Sequence, residues 1–237
     1  MKTVLITGCS SGYGRETALY FLAKGWKVIA TMRTPTADGF PQSEHLKVLA
    51  LDVTQAESIK AALKEAGPID VLVNNAGQSI AKPMLEQTED DWDQIIDTNL
   101  KGCWLVGTEL ARALAAAGKP GSIVNIASIL GERVGGAVGP YAISKAGLVQ
   151  ATKAMALELA RYSIRVNAIL PGYVATDMNS EFLASELGDK LRKRIPTRQF
   201  CELSDLTGPL LLLASNAGAG MTGACVAVDR GHLVSAL

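Results

Sequence analysis

The chain has 237 residues, of which 48% are apolar and 19% charged, and its 23 basic side chains equal its 23 acidic ones. This composition excludes a disordered chain, and the charge balance favours neither nucleic acid nor an anionic membrane surface as a partner. The length suits one α/β domain over residues 1–237, with a core of its own.

In chain order the elements repeat one theme, a short apolar run and then a longer helical stretch. The runs are TVLITG from Thr3, KVIATM from Lys27, KVLALDV from Lys47, DVLVNNAG from Asp70, SIVNIAS from Ser122, IRVNAILPG from Ile164 and ACVAVD from Ala224. They are continuously apolar, as strands buried on both faces must be. Helices are expected over residues 14–24, 88–117 and 139–162, and Thr88 and Asp91 open the second with the spacing of a capping box. The alternation predicts an α/β fold of the Rossmann type: one doubly wound parallel sheet of about seven strands, with helices on both faces.

Residues 179–200 break the rhythm. They read as helical, mixed in charge and placed after a strand's carboxyl end, where open α/β sheets bind ligands. A substrate lid is expected there, with a surface decoration as the second reading. The run Lys190, Arg192, Lys193, Arg194 reads as a solvated helix face, or else as a docking patch for an acidic substrate carrier.

Residues 209–214, the most apolar later stretch, are too short to span a bilayer, and residues 3–8 are strand-length with no cleavage region. Neither a membrane span nor a secretory leader is expected. Cys9, Cys103, Cys201 and Cys225 lack CxxC or metal-ligand spacing, so we expect no metal and free thiols in a reducing cytoplasm. His45 and His232 are isolated and read as surface or packing residues.

Two constellations carry chemistry. The first strand runs into Thr7-Gly8-Cys9-Ser10-Ser11-Gly12-Tyr13-Gly14 and then a helix. A dinucleotide pyrophosphate needs backbone N–H groups at a helix N-terminus and no side chains in its way. Gly8 permits the turn, Gly12 the approach of phosphate and Gly14 close helix–strand packing. At the end of the second strand, Met32 stands where an acid would bind a ribose 2′-hydroxyl. Arg33 can pair with a 2′-phosphate and Thr34 can add a hydrogen bond. NADP(H) is therefore expected over NAD(H), unless Arg33 is an ordinary exposed arginine. Asp52 and Val53 close the third strand, and Asn75, Ala76 and Gly77 the fourth, on the adenine side. Asp52 can accept from the adenine amino group or merely cap the next helix.

In the second constellation, Tyr141 and Lys145 are four residues apart in a helical stretch and share one face. A phenol titrates near pH 10, too high for a good base near neutrality, and a neighbouring ammonium favours phenolate. A tyrosine tuned in this way serves as general acid in ketone reduction and general base in alcohol oxidation. Ser128 ends the fifth strand near the start of that helix, where its hydroxyl can hold the substrate oxygen.

With TGCSSGYG at Thr7, NNAG at Asn74, Asn99 in DTNLKG, Ser128, YAISK at Tyr141 and PGYVAT at Pro171, the chain resembles the short-chain dehydrogenase/reductase family over essentially its whole length. Within it, the likeness is greatest to the 3-oxoacyl-carrier-protein reductase type or a broad-specificity relative. The resemblance implies a tetrad of Asn99, Ser128, Tyr141 and Lys145, in which Asn99 holds a water that links the lysine to solvent. It also implies that Lys145 bonds the nicotinamide ribose, that Pro171, Gly172 and Val174 flank the nicotinamide, and that Thr176 serves its carboxamide or a phosphate. Two residues depart from the pattern. Tyr13 replaces a common Ile between the last two glycines, and Arg230 replaces a glycine of VDGG. We expect Arg230 to be exposed or paired, since a buried unpaired arginine is costly.

The expected activity is NADP(H)-dependent interconversion of a small-molecule ketone and secondary alcohol. The alternatives are an NAD(H)-dependent catabolic dehydrogenase of a sugar, polyol or hydroxysteroid, and a nucleotide-sensing protein without catalysis. Ile129, Leu130, Met178, Phe182 and Leu183 lean apolar and hint at a small or medium apolar ketone. The resemblance implies a homodimer or homotetramer. The Ala-rich residues 111–117 and 151–160 suit either subunit packing or an internal core.

Overall fold

Each of the seven apolar runs forms a strand. They are β1 (Thr3–Thr7), β2 (Lys27–Met32), β3 (Leu46–Ala50), β4 (Val71–Asn74), β5 (Gly121–Ile126), β6 (Ile164–Pro171) and β7 (Cys225–Val228). The computed structural model describes residues 1–175 and 180–235. Thr176, Met178, Asn179 and the side chain of Phe182 lie outside what is described. The strands form one parallel sheet in the order β3-β2-β1-β4-β5-β6-β7.

Strand residues alternate between two cores because successive side chains point to opposite faces. Leu5, Ile29, Leu72, Ile123 and Val166 face α2 (Ala56–Ala66), α4 (Gly102–Ala116) and α5 (Gly139–Leu159), meeting Ile59, Val106, Leu110 and Met155. Val4, Ile6, Val28, Val73 and Val124 face α1 (Gly12–Ala23) and α8 (Leu203–Ala214), meeting Ala18, Phe21, Leu206 and Leu210. Phe21, Leu5 and Ile6 are fully buried, and each such side chain contributes roughly 1.5–3 kcal/mol by leaving water.

The helix expected over 88–117 is three pieces. In α3 (Glu89–Ile96) the capping box is present: Thr88 Oγ1 accepts from Asp91 N (3.1 Å) and Asp91 Oδ2 accepts from Thr88 N (3.0 Å). A π-helical turn, Asp97–Lys101, then interrupts the path into α4 and carries Asn99. Such turns widen a helix locally and re-aim a side chain, and they are frequent at functional sites. The expected helices do not include α2; its stripe Ile59, Ala62, Leu63, Ala66 has helical spacing but spans barely two turns.

Residues 180–200 carry two short helices, α6 (Ser180–Ala184) and α7 (Glu186–Arg192). Lys190 pairs with Glu186 (2.7 Å), and Arg192 and Lys193 pair with Asp189. Three of the four cations in that run therefore form a self-paired, solvated face. The cysteines are free, and among the described residues no helix is long and apolar enough to cross a membrane.

Candidate active site

The order of strands reverses between β1 and β4, and the carboxyl ends of these two neighbours are tied together. Thr7 Oγ1 accepts from the N–H groups of Asn75 and Ala76, both at 3.0 Å. Asn75 Nδ2 donates back to Thr7 O (2.9 Å) and Gly8 O (3.2 Å). The glycines are required by contact. A Cβ on Gly14 would lie 2.2 Å from Gly8 O, and one on Gly8, at φ +72°, would lie 2.8 Å from Ala76 Cα. The first turn of α1 receives no side-chain cap from Ser11 and holds no acid, which leaves its first N–H groups available to an anion.

This loop walls a cavity of about 1200 Å³, large beside ordinary ligand pockets of roughly 300–1,000 Å³. Ser10, Ser11, Gly12 and their neighbours in the glycine loop line it, as do Arg33, Asp52, Val53, Asn75, Ala76 and Gly77. Thr34 is exposed and is not part of the wall. The side chain of Met32 is buried in the core. Arg15 and Arg33 line the cavity without a side-chain hydrogen bond or ion pair among the described residues. Arg15 lies against Gly39 in the β2–β3 loop. The volume, the uncapped N–H groups and two uncommitted guanidinium groups fit a nicotinamide dinucleotide.

Asp52 does not cap α2, whose N-cap is Gln55. Its Oδ1 accepts from Thr54 N (2.9 Å) and Thr54 Oγ1 (2.7 Å), which shapes the loop. The side chain of Val53 is buried in the core below the cavity wall.

At the chemical end, Ser128 follows β5 and accepts from Leu130 N (3.1 Å), opening a short 3₁₀ turn, Ile129–Gly131. Lys145 and Tyr141 lie on α5. A buried ladder holds that helix to the sheet: Asn74 Nδ2 donates to Asn125 Oδ1 (2.9 Å), and Asn125 Nδ2 donates to Thr152 Oγ1 (2.9 Å). Lys145 is buried, with Nζ donating to Ile126 O (2.8 Å) and lying 5.6 Å from the centroid of the Tyr141 ring. A Cβ on Gly77 would lie 3.5 Å from Lys145 Nζ and 3.3 Å from Asn99 Oδ1. Gly77 is thus the seam where the cavity meets this cluster.

The carboxamide of Asn99 is fully engaged. It accepts from Gln78 N (2.9 Å) and donates to Gln78 O (2.9 Å) and Ser144 Oγ (3.1 Å), while Ser144 Oγ donates to Tyr141 O (2.7 Å). Asn99, Tyr141 and Lys145 are therefore gathered near Gly77, and Ser128 follows shortly after Ile126, whose carbonyl holds Lys145. Pro171 ends β6 and Gly172 and Val174 follow it, but none of these three walls the cavity; Ala175 does. Ile129, expected at the substrate pocket, is buried in a core cluster with Leu148 and Leu170 because the 3₁₀ turn folds it inward.

The reading of the residues did not single out Thr7, Arg15, Gln78, Ser144 or Leu203. Thr7 and Ser144 sit inside quoted motifs and Gln78 directly follows one, but a clamp is visible only once its partner is known.

Comparison with known proteins agrees with this geometry. A family profile described as Enoyl-(Acyl carrier protein) reductase matches residues 8–232. The chain is 34% identical over 235 residues to carbonyl reductase [NADPH] 2 of Sus scrofa, covering 98% of this chain and 96% of that protein. It is 35% identical over 245 residues to the 3-oxoacyl-[acyl-carrier-protein] reductase of Thermotoga maritima, covering 98% of each. The chain belongs to the short-chain dehydrogenase/reductase family. A solved 4-hydroxyisoleucine dehydrogenase complexed with NADH is 28% identical, covers 100% of both chains and superposes with a TM-score of 0.93. As a short-chain dehydrogenase/reductase, the protein is an oxidoreductase that acts on an alcohol or carbonyl group with a nicotinamide cofactor. Similar proteins are named with NADPH and with NADH alike.

Both departures from the common dehydrogenase/reductase pattern are accommodated. The Tyr13 side chain packs into the core and donates from its hydroxyl to Leu206 O (3.4 Å), which ties α8 to the glycine loop. Burial pushes its phenol well above the ordinary range. Arg230 takes the left-handed backbone that explains a glycine at this position, with φ +57°. Its Nη2 and Nε donate to Asp205 Oδ2 at 2.6 and 3.0 Å, and its Nη1 donates to Gln199 (3.0 Å).

Proposed function

We propose that this enzyme interconverts a ketone and a secondary alcohol with NADP(H), and that Tyr141 is its general acid in reduction and general base in oxidation. The observation that carries the reading is the buried ammonium of Lys145, held by Ile126 O beside the Tyr141 ring at the seam with the cavity. An ammonium fixed there stabilises the negative charge that develops on the phenol oxygen as its proton is transferred. Ser128 spends an acceptor site on Leu130 N and keeps its hydroxyl proton to donate to the substrate oxygen. Tyr141 passes its proton to that same oxygen. Lys145 has three donors and spends one on Ile126 O, which leaves the others for ribose hydroxyls and for a water chain that restores the tyrosine proton. Asn99 acts through position: its side chain is locked to Gln78 and Ser144, so it holds the π turn rather than touching substrate.

The cofactor, when bound, supplies or accepts the hydride at its nicotinamide. Backbone N–H groups of the glycine loop would hold the pyrophosphate, Asp52 the adenine, and the small residues Ala76 and Gly77, after Asn75, would let the cofactor lie against the backbone. The preference for NADP(H) rests on Arg33, joined by Arg15, at a strand end that offers a buried methionine in place of an acid. Val174, Gly172, Pro171 and Thr176 would complete the nicotinamide side, with the segment over 179–200 as the lid. The enzyme acts as a homodimer or homotetramer; Trp92, Trp104, Ile143 and Leu157 are exposed apolar residues on α3, α4 and α5, suited to a helical subunit contact.

A panel of β-ketoesters, diketones and polyols, assayed with NADPH and NADH, tests the proposal. NADPH-dependent carbonyl reduction is the expected result. Binding of NADPH without turnover of any compound would revive a nucleotide-sensing role, and a clear preference for NADH would overturn the cofactor assignment.

A further inference from the structure

Four separated stretches meet beyond the carboxyl ends of β5 and β6. Arg133 lies in the loop after Ile129–Gly131, Tyr173 follows β6, Arg194 follows α7, and His232 opens the last 3₁₀ turn, His232–Val234. The Tyr173 and His232 rings are 5.7 Å apart. Arg133 Nη1 donates to His232 O and to Ser235 Oγ (2.9 Å). The same terminal turn packs on the segment of Arg194, since a Cβ on Gly231 would lie 3.2 Å from Pro196 Cγ.

Charge relates these groups to the reacting centre. Burial and the nearby Tyr141 push the Tyr173 phenol up, while Arg133 and Arg194 pull it down. Burial, Arg133 and Arg194 push His232 below its usual range, opposed only by Asp229. His232 is therefore mostly neutral near pH 7, and among the described residues its buried Nδ1 has no hydrogen-bond partner. Both oxygens of Asp229 already accept backbone N–H groups, from Gly231 (2.9 Å) and Leu233 (2.6 Å). Lys190, Arg192 and Lys193 all pair within α7 and its end, but Arg194 makes no ion pair or side-chain hydrogen bond among the described residues.

We propose that the substrate is an oxo or hydroxy acid, and that Arg133 and Arg194 bind its carboxylate beside Tyr173 while its carbonyl or hydroxyl meets Tyr141. This rests on the reading of Tyr141 as acid and base, and names the substrate of that site. Two guanidinium groups facing one committed carboxylate leave a single positive charge, which matches a carboxylate monoanion better than a phosphate dianion. A guanidinium offers paired donors in the geometry a carboxylate accepts.

The test compares short oxo acids with their methyl esters, and with phosphate monoesters of hydroxyketones, using the full chain and NADPH. For the acid, kcat/KM should exceed that of the ester by about tenfold or more, the size of a hydrogen bond to a charged group. Arg194→Met should lower that acid-to-ester ratio about tenfold. Arg133→Met should do the same, but Arg133 also holds the terminal turn, so the Arg194 variant decides. An ester as good as its acid, or a ratio unchanged in Arg194→Met, overturns the proposal; a preferred phosphate ester overturns the carboxylate assignment. Calorimetric titration with the acids keeps the two readings apart. Acid binding that weakens in Arg194→Met supports the carboxylate site even if nothing turns over, and turnover of esters alone retains the role of Tyr141 while removing the carboxylate.

Discussion

The nucleotide end and the substrate end of this enzyme are built on different principles. The first is made by backbone. Its glycines are demanded by atoms a few residues away or on the adjacent strand, such as Gly14 against Gly8 O and Gly8 against Ala76. The second is made by side chains from four stretches, and no one of Arg133, Tyr173, Arg194 and His232 has a local reason to be there. A site made by backbone announces itself in a short motif. One made by convergence is silent until the chain is folded.

Replacing one group at each end sharpens that contrast. Tyr141→Phe removes the transferable proton and should lower turnover about a thousandfold, with NADPH binding retained in a fluorescence titration; near-wild-type turnover would end the mechanism. Gly14→Ala should cost about 1–3 kcal/mol of stability, the usual cost of overpacking, because its Cβ would meet backbone and not a movable side chain. Urea denaturation and NADPH titration measure this, and unaltered affinity would show that the glycine loop is not the cradle. Arg33→Met should lower kcat/KM with NADPH about tenfold and leave the value with NADH nearly unaltered. An unchanged cofactor ratio would make Arg33 an ordinary surface arginine.

The smallest effect lies away from both ends. Arg230→Gly relieves a left-handed backbone and removes a half-buried, solvent-screened pair, so the two effects offset and the denaturation midpoint at neutral pH should barely move. The pH dependence should move more. The Glu202 N–H first, and then Arg230, hold the Asp205 carboxyl below its ordinary 3.8. A lowered carboxyl stabilises the fold above the ordinary value and loses that contribution as pH falls below 3.8. Wild type should therefore lose slightly more stability on acidification than Arg230→Gly, and identical acid profiles would show that the pair is without consequence.

Every strand was legible: the central ones because strands buried on both faces are apolar along most of their length, and the partly exposed edge strands β3 and β7 because each keeps a short apolar run. The capping box at Thr88 and the pair Tyr141 and Lys145 were legible because helical spacing places residues four apart on one face. The interruption at Asp97–Lys101 was not, since a π turn keeps helical composition. Ile129 reads as pocket in sequence and is core in space, for a 3₁₀ turn reverses its direction. Ser144 and Gln78 lie in or beside motifs, yet their clamp on Asn99 depends on three distant segments meeting.

By itself the sequence determined the sheet and the glycine-rich turn, because strand periodicity and backbone sterics act over a few residues. Only the tertiary structure decided that Arg230 finds Asp205, that Tyr13 turns into the core, and that Arg194 alone in its charged run makes no ion pair among the described residues. Those outcomes depend on which side chain stands opposite across the fold, and no local spacing encodes that.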